Sequence, residues 1–427
     1  MDRLDTDVII AGGGLAGATL ALALSRVLPS LKVTVVEAFP LSTDALPEDY
    51  QPSYDARSTA LAWGSRLIFE ELGLWDRLSE HATPIRRIHV SDRGRFGATR
   101  LSAEDHGQPA LGYVADNRWM GLSLMRELQA TAVQWKAPAE VLGMTPQPYG
   151  VSVAVKTGDK VAQMSAQCLV VADGGRSGLR ESLGFQARHE DYGQNALIAN
   201  VSTSDSHQFT AFERFTDAGP MALLPGGAPD RPGNQSALVW TLTDQALQAL
   251  IKLDSECRCQ RLQDRFGWRL GRFTRMGELS HYPLKLTTVA EPVRPGVALV
   301  GNAAHTLHPV AGQGFNLALR GLMTLVEQFR SAIQQGRSLG DLGVLGGYQQ
   351  AHHQDWQQTV RFSDSLIRIF GQAPAPLAAA RDAGLVGLDL LPGAKRWFAR
   401  RAMGIGGRKP LISGQGAFAE GESAGNE

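Results

Sequence analysis

The sequence predicts an α/β protein in which a parallel sheet carries helices, a second, antiparallel sheet is inserted, and further helices follow at the C-terminal end. Four short apolar runs rich in β-branched residues predict buried parallel strands, at 7–11, 33–37, 168–172 and 297–301. Each run leads to a glycine or an acidic residue and then to a helical pattern, an alternation typical of α/β sheets.

The stretch from about 185 to 286 has a different texture, with short alternating runs that predict antiparallel strands. These strands are expected at 196–203, 209–215, 220–224 and 236–242. Apolar residues at helical spacing predict helix at 57–80 and again from Gly314 to about 370. The last residues, 412–427, are rich in Gly, Ser, Glu and Ala, which predicts a disordered tail.

Composition excludes several classes of protein. The 427 residues contain 42 Lys and Arg against 42 Asp and Glu, so the chain lacks the basic excess typical of a nucleic-acid binder. Three cysteines form no disulfide framework, and Cys257 and Cys259 are interpreted as plain helix side chains, so no metal is predicted. The polar N-terminus and the absence of a long apolar run predict a cytoplasmic protein, attached at most to the face of a membrane.

A glycine-rich motif follows the first predicted strand and opens a helix. Gly12, Gly14 and Gly17 form G-x-G-x-x-G, and the second strand ends in Glu37, twenty residues after Gly17. In such a motif the glycines allow a tight turn, close approach of backbone N–H groups to a pyrophosphate, and close helix packing. An acidic residue at that distance binds a ribose 2′-hydroxyl and disfavours a 2′-phosphate. The pattern predicts tightly bound FAD or NAD rather than NADP.

Two further blocks place polar and glycine residues after predicted strands. Asp173 and Gly174 follow the strand at 168–172, and a glycine-rich loop at 301–316 opens another helix. A helix N-terminus with bare backbone N–H groups can stabilise negative charge that develops on a flavin ring. These blocks therefore favour FAD.

With these blocks, the sequence resembles the flavoprotein monooxygenases of the para-hydroxybenzoate-hydroxylase type. Their DGxxSxxR motif is matched by Asp173, Gly174, Ser177 and Arg180, and their GD…PxxGQGxN motif by Gly301, Pro309, Gly312, Gln313, Gly314 and Asn316. Within that family the chain is most similar to the ubiquinone-biosynthesis hydroxylases, closest to those that act on methoxyphenols. The stretches that carry this likeness are 89–94, 199–201, 212–216, 266–271 and 301–309.

The resemblance implies a Rossmann-like FAD-binding domain with a defined set of cofactor-binding residues. Gly12, Gly14, Gly17 and Glu37 would hold the ADP half, Arg57 the pyrophosphate, Asp173 and Gly174 the FAD and the visiting nicotinamide nucleotide, Asn302 the ribityl chain, Pro309 the ring pocket, and Gly312, Gly314 and Asn316 the isoalloxazine. The family usually has Asp where this chain has Asn302, and often Asp where it has Gly321. Asn302 keeps the hydrogen-bonding capacity, whereas the position of Gly321 offers none.

The resemblance also implies an activity. The protein would be an FAD-dependent aromatic monooxygenase that hydroxylates a polyprenylated methoxyphenol in ubiquinone biosynthesis, with NADPH or NADH as transient reductant, through a C4a-hydroperoxyflavin. No second strand–GxGxxG–helix unit occurs in the sequence, so the reductant is expected to bind transiently against the FAD. Expected partners are the prenylated phenol, other ubiquinone-biosynthesis proteins and the surface of a membrane. Alternatives are a sister hydroxylase acting at another ring carbon, a flavin-bound reductase, and a scaffold subunit.

The residues do not identify a general base. His305 and His308 flank the third block, and His308 is the candidate. The predicted domains are an FAD-binding domain at 1–80, 100–184 and 287–340, a sheet-based substrate domain at 81–99 and 185–286, a C-terminal helical region at 341–411, and the tail.

Overall fold

A parallel sheet organises the first part of the fold. The computed structural model describes residues 4–41, 57–94, 98–175, 177–216, 219–306, 312–370, 387 and 391–406. The strands of this sheet lie in the order β19 (Val293–Arg294), β20 (Val297–Leu299), β12 (Cys168–Val171), β1 (Val8–Ala11), β2 (Val33–Val36) and β8 (Gln134–Lys136). All adjacent pairs are parallel except β19 with β20. The four predicted parallel strands are confirmed.

Both faces of the parallel sheet are buried against other elements, which explains why the sequences of its strands are continuous apolar runs. Val8 and Ile10 pack on one face into a core formed with helices, whereas Ile9 and Ala11 pack on the other. That second face meets a small antiparallel sheet of β9 (Glu140–Gln147), β10 (Gly150–Thr157) and β11 (Lys160–Ala166).

A large sheet lies beside this unit. Its strands run in the order β21 (His305–Thr306), β18 (Ser280–Val289), β13 (Ala187–Thr203), β16 (Gln235–Thr243), β15 (Gly219–Gly226), β14 (Thr210–Thr216), β5 (Arg87–Asp92) and β6 (Ala98–Ser102), and β17 (Phe273–Met276) also pairs with β13. The predicted antiparallel strands are all present. The sheet is not wholly antiparallel, because β14 and β5 pair in parallel.

The prediction of helix over 57–80 is wrong for its first residues. Ser58–Ala62 forms β3, which pairs antiparallel with β7 (Gly112–Asp116), and β7 also pairs with β4 (Ala82–Ile85). The helical spacing holds only beyond it, because pairing with a strand about fifty residues away decides the conformation of the earlier residues.

The helices pack on the sheets or close the C-terminal end. They are α1 (Leu15–Val27), α2 (Trp63–Glu71), α3 (Trp75–Ser79), α4 (Asn117–Gln129), α5 (Gly178–Ser182), α6 (Asp244–Ile251), α7 (Ser255–Phe266), α8 (Gln313–Gln334), α9 (Leu342–Phe370) and α10 (Pro392–Ala402). Helices α6 and α7 cover one face of the large sheet. None of the helices in the described ranges is both long and apolar enough to cross a membrane. The predicted tail, 412–427, lies outside the described residues.

Candidate functional site

The turn between β1 and α1 is built from glycines that no larger residue could replace. Gly12 has a φ of +100°, and a Cβ on it would lie 2.8 Å from the Ala172 carbonyl oxygen at the end of β12. A Cβ on Gly17 would overlap the Gly12 carbonyl oxygen. Gly14 precedes the first turn of α1, which no described side chain caps, so its N–H groups are available to an anion.

Glu37 is held beside this turn. The buried carboxylate accepts the Gly13 N–H at 2.5 Å through Oε2 and the Phe39 N–H at 3.0 Å through Oε1. A carboxylate can accept more than two hydrogen bonds, so this geometry leaves capacity for ribose hydroxyls. Glu37 also braces the glycine turn, a structural role that the sequence did not predict.

A buried arginine connects the residues that follow β12 with the turn that contains Asn302. Asp173 Oδ2 accepts the Ser177 hydroxyl at 2.7 Å, and Ser177 caps α5 by accepting the Arg180 N–H at 2.9 Å. Burial raises the pKa of Asp173, and the Ser177 hydrogen bond opposes this rise. Arg180 is 2% exposed and donates to the Ala303 carbonyl at 3.3 Å, which fixes the turn that contains Asn302.

The start of α8 is fixed by Asn316, which is 1% exposed. Its Oδ1 accepts the Ala62 N–H at 2.8 Å and the Ser65 hydroxyl at 2.7 Å, while its Nδ2 donates to the carbonyls of Ala60 and Gly312 at 2.8 Å each. Gly312 has a φ of +60°, and a Cβ on it would come within 3.0 Å of the Ala60 Cβ. No described side chain caps α8, so its N-terminal N–H groups remain available.

Of the two histidines that flank the third block, the structure describes only one. His308 lies in 307–311, outside the described residues, as does Pro309. His305 is buried against His352 with 5.1 Å between the ring centroids, and it does not line the cavity described below. Burial lowers the pKa of His305 to about 3, so its imidazole is neutral. The His352 ring lies against Gly321, where a Cβ would be 2.7 Å from Cε1.

One cavity of about 1690 Å³ joins these elements to the large sheet. Pockets for a single small ligand typically measure about 300–1,000 Å³, so this one has room for a dinucleotide and a second molecule. The predicted site residues that line it are Gly12, Gly14, Glu37, Arg57, Asp173, Gly174, Asn302, Gly312, Gly314 and Asn316. Gly17 does not line it and acts through helix packing. These residues fit an adenine dinucleotide extended from β1 to the start of α8.

The other end of the cavity is mostly apolar. We define the apolar chamber as the part of the cavity lined by residues of α10 and of strands β5, β6, β15 and β16 of the large sheet, among them Ile88, Leu101, Leu224, Val239 and Phe398. Glu213, Tyr282 and Phe398 are among the residues of the cavity wall that the sequence did not identify as site residues. The Arg57 guanidinium lies over the Tyr282 ring, 5.4 Å from its centroid. Phe212 and Phe215 lie on opposite faces of β14, so the local sequence did not show which face of the strand meets the cavity.

Comparison with known proteins agrees with this architecture. The family described as FAD binding domain matches residues 5–363. Ubiquinone hydroxylase UbiL of Rhodospirillum rubrum is 35% identical over 399 residues, covering 93% of this chain and 89% of its own. The 3-demethoxyubiquinol 3-hydroxylase of Escherichia coli is 28% identical over 408 residues, covering 95% and 100%. The p-nitrophenol 4-monooxygenase PnpA of Pseudomonas putida shares the fold, with a TM-score of 0.74 at 17% identity, covering 96% and 100%.

Proposed function

The chain belongs to the FAD-binding hydroxylases of ubiquinone biosynthesis, and from this membership we propose that it hydroxylates the ring of a polyprenylated methoxyphenol. The co-substrates are O₂ and NADPH or NADH, and the finer assignment is to the 2-octaprenyl-6-methoxyphenol hydroxylase step. The observation that supports this most is the single cavity, which joins the dinucleotide residues to the apolar chamber.

The residues of the cavity divide into two groups, one that binds the cofactor and one that binds the substrate. We propose that Gly12, Gly14 and Glu37 bind the adenine half of FAD, and that Arg57 binds the pyrophosphate. The predicted domain division, with the large sheet as the substrate domain, belongs to the same proposal. When bound, FAD supplies the activation of O₂ and the transfer of oxygen to the ring.

The start of α8 supplies electrostatic stabilisation at the ring end of the cofactor. Its uncapped N–H groups and the helix dipole favour negative charge at this place. Asn316 fixes the loop from Gly312 against Ala60, so these dipoles are oriented before any ligand binds. Preorganised dipoles of this kind stabilise charge without the reorganisation that water would need.

The apolar chamber suits a prenyl tail. Its walls carry aliphatic and aromatic side chains from β5, β6, β15, β16 and α10. Burial of a hydrocarbon chain contributes about 0.8 kcal/mol for each CH₂ removed from water, so a tail of several prenyl units contributes much of the binding free energy. The same walls exclude water from the reacting centre.

A second candidate function is the sister step, in which another carbon of the quinone ring is hydroxylated. The Escherichia coli relative, which covers 95% of this chain, is named for such a reaction on demethoxyubiquinol. Both candidates use the same fold and cofactor, and they differ in how the ring is oriented in the cavity.

Lipid analysis of cells that lack the gene distinguishes these functions. We expect air-grown deletion cells to accumulate a prenylated methoxyphenol and to lose ubiquinone, and a plasmid copy to reverse both changes. Accumulation of a demethoxylated quinol would support the sister step instead. Unchanged quinone levels would contradict both assignments.

A further inference from the structure

Four arginines come together at the large sheet, outside the cavity. We define the arginine cluster as Arg93 at the end of β5, Arg100 of β6, Arg214 of β14 and Arg269, which follows α7. None of these four residues lines the cavity, whereas Leu101 and Glu213, the next or preceding residues of the same strands, do. Because successive residues of a strand point to opposite faces, Arg100 and Arg214 lie on the side of the sheet that is turned away from the cavity.

His89 holds one of these arginines against the sheet. His89 lies on β5 directly opposite Arg100, is 9% exposed, and has its ring centroid 5.9 Å from that of Phe212. The Arg269 guanidinium donates to the His89 ring, and its Nη1 is 3.1 Å from Nδ1. Burial, followed by the charges of Arg269 and Arg100, lowers the pKa of His89 to about 4. The imidazole is therefore neutral, so it can accept a hydrogen bond and adds no positive charge.

Arg214 is half-buried and incompletely paired. Its guanidinium nitrogens lie 4.0 Å from the place where a Cβ of Gly267 would be, at the end of α7. Its Nε is buried and has no hydrogen-bond partner among the described residues. Neither Arg214 nor Arg269 takes part in an ion pair within the part of the chain that the structure describes. A buried polar group without a partner is rare in folded proteins and is one sign of a missing ion.

The arginines of the cluster destabilise one another electrostatically. Burial, followed by the charges of Arg269 and Arg93, lowers the pKa of Arg214. Burial and the charge of Arg100 lower the pKa of Arg269. Asp92 is the acidic group that opposes these effects at Arg214. One carboxylate thus stands against four guanidinium groups, and the described residues of this place carry a net positive charge.

This arrangement suits a phosphate group. A guanidinium is planar and offers several N–H donors in a fixed fork, which can bind two oxygens of one phosphate. Clusters of arginines are a recurring means of recognising phosphate groups in proteins. An anion among these side chains would reduce the repulsion between them and would offer an acceptor to the Arg214 Nε.

We propose that the arginine cluster binds a phosphate group, supplied either by the headgroup of an anionic phospholipid or by free phosphate. Trp268, the residue before Arg269, is 70% exposed. An exposed indole beside arginines is typical of surfaces that meet the interface of a membrane. The large sheet separates this site from the cavity, so the site is distinct from the proposed FAD and substrate sites.

The first measurement is thermal unfolding of the full-length holoenzyme with inorganic phosphate as the probe, at an ionic strength held constant with sodium chloride. A ligand that binds the folded state raises the melting temperature, and we expect a rise of about 2 °C or more in the wild type. Arg214→Gln/Arg269→Gln should lose most of this rise. Phosphate also stabilises proteins by exclusion from their surface, and that smaller effect should remain in both proteins.

Two further variants separate the site from folding and from overall charge. Arg188→Gln/Arg275→Gln removes two exposed arginines of the same sheet outside the cluster and should keep the wild-type rise. Arg269→Gln alone replaces an exposed side chain and should lose part of the rise even if the double variant folds poorly. The rise is measured for each protein from its own melting temperature without phosphate.

The second measurement identifies the source of the phosphate group. Vesicles of phosphatidylcholine, with or without phosphatidylglycerol, are sedimented with each protein. If the source is a phospholipid, the wild type should bind only the vesicles with phosphatidylglycerol, and Arg214→Gln/Arg269→Gln should bind them about 25-fold more weakly, about fivefold for each arginine. Trp268→Ala should then weaken vesicle binding and leave the effect of inorganic phosphate unchanged.

The melting temperatures decide whether the site exists. A rise that is lost in Arg214→Gln/Arg269→Gln and in part in Arg269→Gln, but kept in Arg188→Gln/Arg275→Gln, supports the proposal. Vesicle binding then indicates a phospholipid, and its absence in the wild type indicates free phosphate. Equal rises in all these proteins would overturn the proposal, whatever the vesicles show, because phosphate would then act only by exclusion from the surface.

Discussion

Asn316 and Ala60 are joined by a hydrogen bond of 2.8 Å, from the Asn316 side-chain amide to the Ala60 carbonyl. The oxygen of the same side-chain amide accepts the Ala62 N–H, so one buried side chain satisfies both a donor and an acceptor of β3. These residues are more than 250 positions apart in sequence. The bond pair fixes the start of α8 against the strand that borders the cavity.

Substitution of Asn316 should therefore damage both stability and cofactor retention. Asn316→Ala leaves the buried Ala62 N–H without its acceptor, which costs about 1–3 kcal/mol for that group alone. We expect a lower melting temperature and a lower FAD-to-protein ratio after purification, both measurable by absorbance. Asn200→Ala, at an exposed position of β13, is the control and should change neither. Full FAD occupancy in Asn316→Ala would contradict the role of this contact.

Gly17 should be essential for the packing of α1 on β1. In Gly17→Ala the new Cβ overlaps the Gly12 carbonyl oxygen, so helix and turn must move apart. Such overpacking typically costs about 1–3 kcal/mol, and the displaced turn should also lose FAD. The matched control is Gly143→Ala in β9, where a Cβ would meet nothing within 4 Å. Urea unfolding of the two variants tests the difference, and equal midpoints would contradict it.

The buried pair His305 and His352 predicts loss of stability at mildly acidic pH. Burial lowers the pKa of His305 to about 3 and that of His352 to about 4, and the Arg320 charge contributes to the second shift. As the pH falls from 7 to 5, the unfolded chain binds protons at imidazoles near pH 6.5 that the folded chain leaves neutral. The folded state therefore loses about 1–2 kcal/mol for each of the two histidines.

His352→Leu isolates this effect, because leucine fills similar space without titrating. Urea unfolding at pH 7 and pH 5 should show a smaller loss of unfolding free energy in the variant than in the wild type, by about 1–2 kcal/mol. An identical pH dependence in the two proteins would show that His352 is not held neutral by burial.

The length of the prenyl tail should matter at the apolar chamber. Val239 lines it from β16, and Val239→Phe adds a ring to the space that a tail would occupy. We expect the KM for a long-chain prenylated methoxyphenol to rise by about tenfold or more, equivalent to about 1.4 kcal/mol of lost binding. The KM for 2-methoxyphenol, which has no tail, should stay nearly constant. Equal effects on both phenols would place the tail elsewhere.

The parallel sheet could be predicted because burial on both faces leaves a local signature. Val8–Ala11 and Cys168–Val171 are fully buried runs, and the glycine motif after β1 has chemical requirements that its spacing displays. Strand Ser58–Ala62 could not be predicted in this way, since its conformation depends on pairing with β7. The helical spacing of apolar residues begins inside this strand, so it did not show where the strand ends and the helix begins.

The site shows the same division between local and long-range information. Gly12 and Glu37 were predicted from spacing, and both line the cavity. Glu213 was missed because alternation in a strand defines two faces but does not say which one meets a ligand. That choice is decided by α6 and α7, which cover the opposite face of the large sheet.

The most direct test of the central claim is the origin of the oxygen atom in the product. The purified holoenzyme should be incubated with NADPH and 2-methoxy-6-geranylphenol under ¹⁸O₂ in ordinary water, and the product analysed by mass spectrometry. We predict one ¹⁸O atom in the ring for each product molecule, with consumption of NADPH and O₂. NADPH oxidation without labelled product, or turnover that continues without oxygen, would contradict a monooxygenase and indicate a flavin reductase.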